Sequence, residues 1–246
     1  MDKNIIFIKT PKCASTSIKS ELIRYSTYKN LKVLDYAIGF KNEFSIKNSW
    51  IDNLNAHGIY APKHDNMNYN INVDHVTGTD ENINRLKEIM DPTKDFIIIS
   101  IIRDPLSRLI SNYTGTPSTG WTKTSEGFND WYLKNNDKNV MEVFKGVHKM
   151  FPDFWMNNFL SNYIGVDNPK DVKSKYDLVL IVEEFDKSLE KLSELLGFKF
   201  NESFENKGFR GTKIEPSQEV IDLFKENNNK DYELYNTCKE LYYTFK

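Results

Sequence analysis

Three times along the chain a short apolar run gives way to a polar loop, and then to apolar positions spaced three and four apart. Residues 4–9 (NIIFIK) form the first run, followed by TPKCAST and then by Ile18, Leu22 and Tyr25. Residues 96–102 (FIIISII) form the second, followed by Arg103-Asp104-Pro105 and then by Leu106, Leu109, Ile110 and Tyr113. Residues 178–182 (LVLIV) form the third, with Leu189, Leu192, Leu195 and Leu196 repeating before Gly197. Uninterrupted apolar runs of this length suit strands buried on both faces, and the following periodicity suits helices with one buried stripe. Asp104 and Asp186 are placed to cap the second and third helices, Pro105 to occupy a first helical position, and Gly197 to end the last. Three strand-loop-helix units in succession predict an α/β fold, a parallel β-sheet flanked by helices. Between them, the alternation in NINVDHV (70–76) predicts a further strand and residues 83–90 a helix. The aromatic-rich stretch 125–165 reads as mostly helical, and 217–245 as one or two closing helices.

Composition narrows the class. A chain of 246 residues, 39% hydrophobic and 28% charged, is expected to fold as a single domain spanning 1–246. The formal net charge of −2 gives no broad positive field, so nucleic acid is not an expected partner and any anion site has to be local. One local positive excess exists near the start, where Lys3, Lys9, Lys12, Lys19, Arg24 and Lys29 face only Asp2 and Glu21. Cys13 and Cys238 match no disulfide framework or metal motif, so no metal is expected. No window approaches the roughly 18 apolar residues of a membrane span, and no signal-like segment precedes the first strand. The expectation is a cytoplasmic protein. No coiled-coil seam marks an oligomer.

Two segments carry chemistry, both in loops expected at the carboxyl ends of strands, where α/β proteins bind ligands. The first is Pro11-Lys12-Cys13-Ala14-Ser15-Thr16-Ser17. Small residues, hydroxyls, a lysine and consecutive backbone N–H groups at a helix start suit a phosphate or sulfate. The same residues also describe a capped helix beside an exposed lysine. A Walker loop is disfavoured, because no glycine occurs among the first 38 residues and the lysine precedes the hydroxyls. In the second segment, IRDPLSRLISNY, Arg103 lies at the strand exit and Ser111 about two turns into the next helix, so that guanidinium and hydroxyl can grip one phosphate. The alternative for Arg103 is a structural ion pair with Asp104 or a nearby helix end.

Taken together, PKCAST-S at 11–17 and IRDP-x-x-RL-x-S-x-Y at 102–113 resemble the sulfotransferases that use 3'-phosphoadenosine-5'-phosphosulfate (PAPS). Within them the match is nearest to the Golgi carbohydrate branch represented by heparan sulfate 2-O-sulfotransferase. Fainter similarities are VEEFDKSL at 182–189 and ENK at 205–207. The resemblance implies a P-loop-like sulfotransferase fold. It implies that Pro11, Lys12, Cys13, Ala14, Ser15, Thr16 and Ser17 bind the 5'-phosphosulfate, with Lys9 assisting, and that Arg103 and Ser111 bind the 3'-phosphate. Lys207 and Arg210, in a late glycine-flanked loop, would reach the same phosphate. Lys12 would also act catalytically, stabilising the charge that builds on the bridging oxygen as the sulfuryl group leaves.

Transfer to an acceptor hydroxyl also calls for a base, and histidine suits neutral pH. Of His57, His64, His75 and His148, His75 ends the expected strand 70–76, between the two phosphate segments, where the resembling family carries its catalytic histidine. His64, in the polar loop PKHDN, is the second candidate, and Glu183 and Glu184 are fallback carboxylates. Asp74 orients His75 only if the strand bends there, since strand neighbours point to opposite faces. Trp121, Trp131, Trp155, Tyr113, Tyr132 and Phe154 would either stack on a sugar or fill the core, and their helical spacing favours the core. The expected partner is a hydroxyl-bearing glycan or small molecule. Two other readings are a nucleotide-dependent kinase or phosphotransferase, which would need ATP and Mg²⁺, and a non-catalytic nucleotide-binding module.

Overall fold

The structure, a computed structural model, describes residues 3–34, 69–73, 76–115, 122–138, 157–200 and 213–242. Five parallel strands form one sheet: β1 (Asn4–Ile8), β2 (Val33–Leu34), β3 (Ile71–Asn72), β4 (Phe96–Ile102) and β5 (Leu178–Ile181), in the order β2-β3-β1-β4-β5. Every side chain of β1 is buried, as the apolar run predicts for a central strand covered on both faces. Its partners are Phe96 to Ser100 of β4 on one side and Ile71 and Asn72 of β3 on the other. Among the described residues of the expected strand 70–76, Ile71 and Asn72 lie in the ladder. β2, which is two residues long, has no legible signal in the sequence.

The helices follow the predicted periods. Those at the exits of β1 and β4 are α1 (Ser15–Lys29), which buries Ile18, Leu22 and Tyr25, and α3 (Pro105–Gly115), which buries Leu109 and Tyr113. α2 (Asp80–Ile89) precedes β4, and α4 (Ser125–Asn135) and α5 (Phe159–Ile164) account for the described part of 125–165. Asp104 caps α3 as expected, its Oδ1 accepting from Ser107 N at 2.8 Å. A short 3-10 turn (Pro169–Asp171) and α6 (Val172–Lys175), neither anticipated, lead into β5. α7 (Phe185–Leu196) ends on Gly197 in the left-handed region, φ 59°, but Asp186 does not cap it. Val182–Glu184 form a 3-10 turn, and the helix starts two residues earlier than an Asp186 cap would set it, leaving Asp186 inside the first turn. The closing stretch is two helices, α8 (Gln218–Asn227) and α9 (Asn229–Tyr242).

Tyr113, Phe128, Trp131 and Tyr132 pack on one another in the core, with the rings of Tyr113 and Trp131 at 4.9 Å. These aromatics therefore fill volume between α3, α4 and α8 and are not a stacking face for an acceptor. Trp121, Phe154 and Trp155 lie outside the described residues.

The topology fixes where a ligand can sit. From β1 the chain proceeds to β2 and β3 on one side of the sheet, and from β4 it proceeds to β5 on the other. Loops leaving β1 and β4 diverge, and the crevice between their carboxyl ends is the switch point at which open α/β sheets bind ligands.

Candidate active site

Both chemistry-bearing segments leave the sheet at that crevice. After Ile8 the chain turns sharply, Thr10 N donating to Ile8 O at 3.0 Å. The turn is tied to β4 through the Thr10 and Ser100 hydroxyls, 3.2 Å apart, and through Ser100 Oγ donating to Ile8 O at 3.0 Å. Lys9 is buried, 8% exposed. Its carbonyl accepts from Tyr163 Oη of α5 at 3.1 Å.

Residues 11–14 form a turn in which Lys12 (φ 63°) and Ala14 (φ 51°) both occupy the left-handed region. Neither is glycine, so the loop stores backbone strain of order 1–3 kcal/mol per residue, held in place by its surroundings. Left-handed residues alternating with others turn successive N–H groups toward one concavity, the arrangement that binds anions. Ala14 is the N-cap of α1 and supplies no side-chain acceptor, so the first N–H groups of the helix lack a side-chain cap at that residue. Ser15 and Ser17 are buried, Pro11 and Ala14 half-buried, and Thr16 exposed. Cys13 is fully enclosed beneath the turn, and burial pushes its thiol up to about 12, against the opposing pull of Arg108 and Arg103. Cys13 is thus a neutral packing residue at neutral pH.

The second segment grips the first at two points. At one end, Arg103 Nη1 donates to Lys12 O at 3.5 Å. At the other, a Cβ placed on Gly115, the last residue of α3, would lie 2.7 Å from Lys12 Nζ. The ammonium therefore rests against the α3 C-terminus, one turn beyond the half-buried Ser111. Partial burial lowers the Lys12 pKa from its ordinary value.

Arg103 is not paired with Asp104. Its Nε lies 4.0 Å from Glu183 Oε1, at the carboxyl end of β5. The same carboxylate accepts from Asp104 N at 3.1 Å and from Tyr235 Oη of α9 at 3.0 Å. Glu183 therefore joins β5, the β4–α3 turn and α9, and orients Arg103; it is committed to this pairing and unsuited to be the base. Glu184 turns away to Lys187 at 2.8 Å. The sequence offered both as carboxylates but gave no sign of which arginine either would meet, since Arg103 and Glu183 are 80 positions apart and meet only through the sheet.

His75 and Asp74 lie outside the described residues, as do His57, His64, His148, Lys207 and Arg210. Two residues that the sequence reading passed over belong to the neighbourhood. Gly115 leaves room for the Lys12 ammonium, and Arg108, buried on α3, adds charge beside Cys13 and Arg103. Helical spacing from Ser111, three residues back and four on, would have flagged both. Among the described residues no cluster of His, Cys, Asp and Glu suited to a metal ion occurs, and no helix is long and apolar enough to cross a membrane.

No curated protein matches the chain. The sulfotransferase family model matches residues 1–242, which includes the turn at 11–17, Arg103, Ser111 and the Glu183 clamp. Members of that family generally use PAPS. With a match over nearly its whole length, an all-parallel sheet, and both phosphate-type segments meeting at its switch point, the chain belongs to the sulfotransferase family and is an enzyme of sulfuryl transfer.

Proposed function

We propose that this protein transfers the sulfuryl group of PAPS to the hydroxyl of a carbohydrate or small metabolite, as one sulfotransferase domain spanning 1–246. The observation that carries the reading is the way the Arg103 segment holds Lys12 at both ends. Arg103 meets its carbonyl and Gly115 leaves room for its ammonium, so the 11–17 turn and the α3 segment form one anion site.

In this reading the backbone N–H groups and hydroxyls of 11–17 bind the 5'-phosphosulfate, while Arg103 and Ser111 bind the 3'-phosphate that separates this donor from ATP. The acceptor oxygen attacks sulfur, the bond from sulfur to the 5'-phosphate oxygen breaks, and Lys12 stabilises the negative charge left on that oxygen. The products are a sulfate ester and 3'-phosphoadenosine 5'-phosphate (PAP). The acceptor proton goes to His75. This assignment is supported by its position two residues beyond Val73, where the chain leaves β3 at the same sheet edge as the 11–17 turn. His64 is the second candidate. Lys207 and Arg210 are assigned to the 3'-phosphate on the family resemblance. No metal takes part in these steps.

The motif similarity to the heparan sulfate 2-O branch favours a sugar hydroxyl. The net charge of −2 disfavours a long polyanionic chain and favours a smaller glycan or metabolite. The test is incubation with PAPS and a panel of sugar and small-molecule hydroxyls, with ATP and Mg²⁺ as the competing donor. Sulfate esters formed from PAPS alone are expected. Failure to bind PAP together with no turnover on any acceptor overturns the reading, and phosphate transfer from ATP replaces it.

A further inference from the structure

Arg108 lies on α3, five residues after Arg103 and three before Ser111, and only 4% of it is exposed. A guanidinium this deep normally has a carboxylate or a set of carbonyl acceptors around it, because a buried charge without a partner is among the costliest features a fold can carry. Arg108 has neither. Its Nε is enclosed without a hydrogen-bond partner. The guanidinium carbon sits 4.1 Å over the ring of Phe159, which supplies a face and no acceptor for its N–H groups. The acid whose charge reaches it is Asp231 on α9. That carboxylate is committed elsewhere, accepting from Leu160 N and Ser161 N at 2.8 Å each and from Ser161 Oγ at 2.6 Å. On its other side lie Cys13, uncharged at neutral pH, and Arg103, a second cation whose own buried Nε also lacks a hydrogen-bond partner.

Two arginines with orphan buried donors therefore flank the floor of the 11–17 turn, and among the described residues Arg108 has the charge of Asp231 within reach but no acceptor for its guanidinium. An anionic ligand in the crevice would supply that acceptor. We infer that Arg108 is a further binding residue of the donor nucleotide, pairing with its 3'-phosphate beside Arg103 and Ser111. Positions 108 and 111 are neighbours on one helix face, so the guanidinium and the hydroxyl approach one phosphate from the same side. The inference rests on the donor reading above.

The test compares thermal melting and ligand affinity of the full chain for wild type, Arg108→Met and Arg108→Lys, with PAP and with adenosine 5'-phosphate, which lacks the 3'-phosphate. A guanidinium awaiting a ligand and one that holds the fold together predict opposite results. For the first, ligand-free Arg108→Met melts at or above wild type, because an unpaired buried charge has been removed. Its Kd for PAP rises about tenfold or more, whereas its Kd for adenosine 5'-phosphate changes by less than about threefold. Arg108→Lys, which keeps the charge and loses the fork, binds PAP with intermediate affinity. Should the Met variant fail to fold, the inference is overturned, because Arg108 is then structural. Unchanged PAP affinity in either variant overturns it as well, and equal losses for both nucleotides overturn the assignment to the 3'-phosphate. Absence of PAP binding by wild type defeats the donor reading itself, an outcome distinct from wild-type binding that survives in the variants.

Discussion

Lys12 shows how much a single residue's surroundings decide. Its backbone is in the left-handed region and its ammonium is half withdrawn from water against Gly115. Desolvation disfavours the charged form, so its pKa is lowered. In the proposed mechanism the charged form is the one that stabilises the departing phosphate. Activity is therefore expected to fall, as pH rises, on an alkaline limb below the roughly 10.4 of an ordinary lysine. A kcat profile should show that limb, and Lys12→Arg should move it beyond the measurable range; a limb unmoved by the substitution would assign it to another group. Lys12→Ala is expected to cost about 10²–10³ in kcat, the scale of losing one charge-stabilising donor. Glu183 acts at one remove, through Arg103. Since both partners are about one-third exposed, 31% and 35%, the contact is worth at most about 1 kcal/mol. Glu183→Gln should accordingly raise KM for PAPS by less than about fivefold with kcat nearly unchanged. A fall in kcat of tenfold or more would return Glu183 to the list of candidate bases.

Among the elements, the strand-loop-helix units were legible because their signals are local: apolar-rich runs at 4–9, 96–102 and 178–182, each followed by an apolar stripe of helical period. The Asp104 cap and Pro105 start were legible for the same reason. Asp186 was misplaced because a 3-10 turn at Val182–Glu184, whose Glu183 accepts from Asp104 N and Tyr235, starts α7 earlier than its own sequence signals. β2 and β3 are two residues each, and pairing with β1 makes them strands where propensity alone is too weak. Gly78 illustrates a close approach that no local pattern reveals. Its N–H donates to Tyr163 O at 2.8 Å, and a Cβ there would collide with Tyr176 Oη and Ile164 O. Gly78→Ala should destabilise the protein by about 1–3 kcal/mol in urea unfolding, as overpacking does. A midpoint within error of wild type would show that α5 yields easily.

For the whole molecule, the decisive fact is the order β2-β3-β1-β4-β5, which sends the chain in opposite directions from β1 and β4 and opens the crevice between them. A ligand that bridges the loops of those two strands stabilises the folded state by mass action. PAP at about 100 times its Kd should add about 2.7 kcal/mol. For a chain of this length that corresponds to a rise in Tm of roughly 5–11 °C. Adenosine 5'-phosphate at the same concentration should give a smaller rise, since it leaves Arg103 and Ser111 without their anion; equal rises would remove the 3'-phosphate from the reading.

The sequence by itself determined the α/β class, the two anion-type segments and their order, because strand runs, helix stripes and loop chemistry are all written within a dozen residues of one another. It also offered Lys12, Arg103 and Ser111 as candidates, through the two segments taken together and their resemblance to the family. Only the tertiary structure decided that Arg103 pairs with Glu183, that Lys12 lies against Gly115, that the aromatics at 113, 131 and 132 are core, and that Arg108 is buried with its Nε lacking a hydrogen-bond partner. Each of these is a contact or a depth between parts of the chain that local patterns do not link. Burial and long-range pairing are properties of the packed sheet, and they set the charge and desolvation on which the chemistry of this site depends.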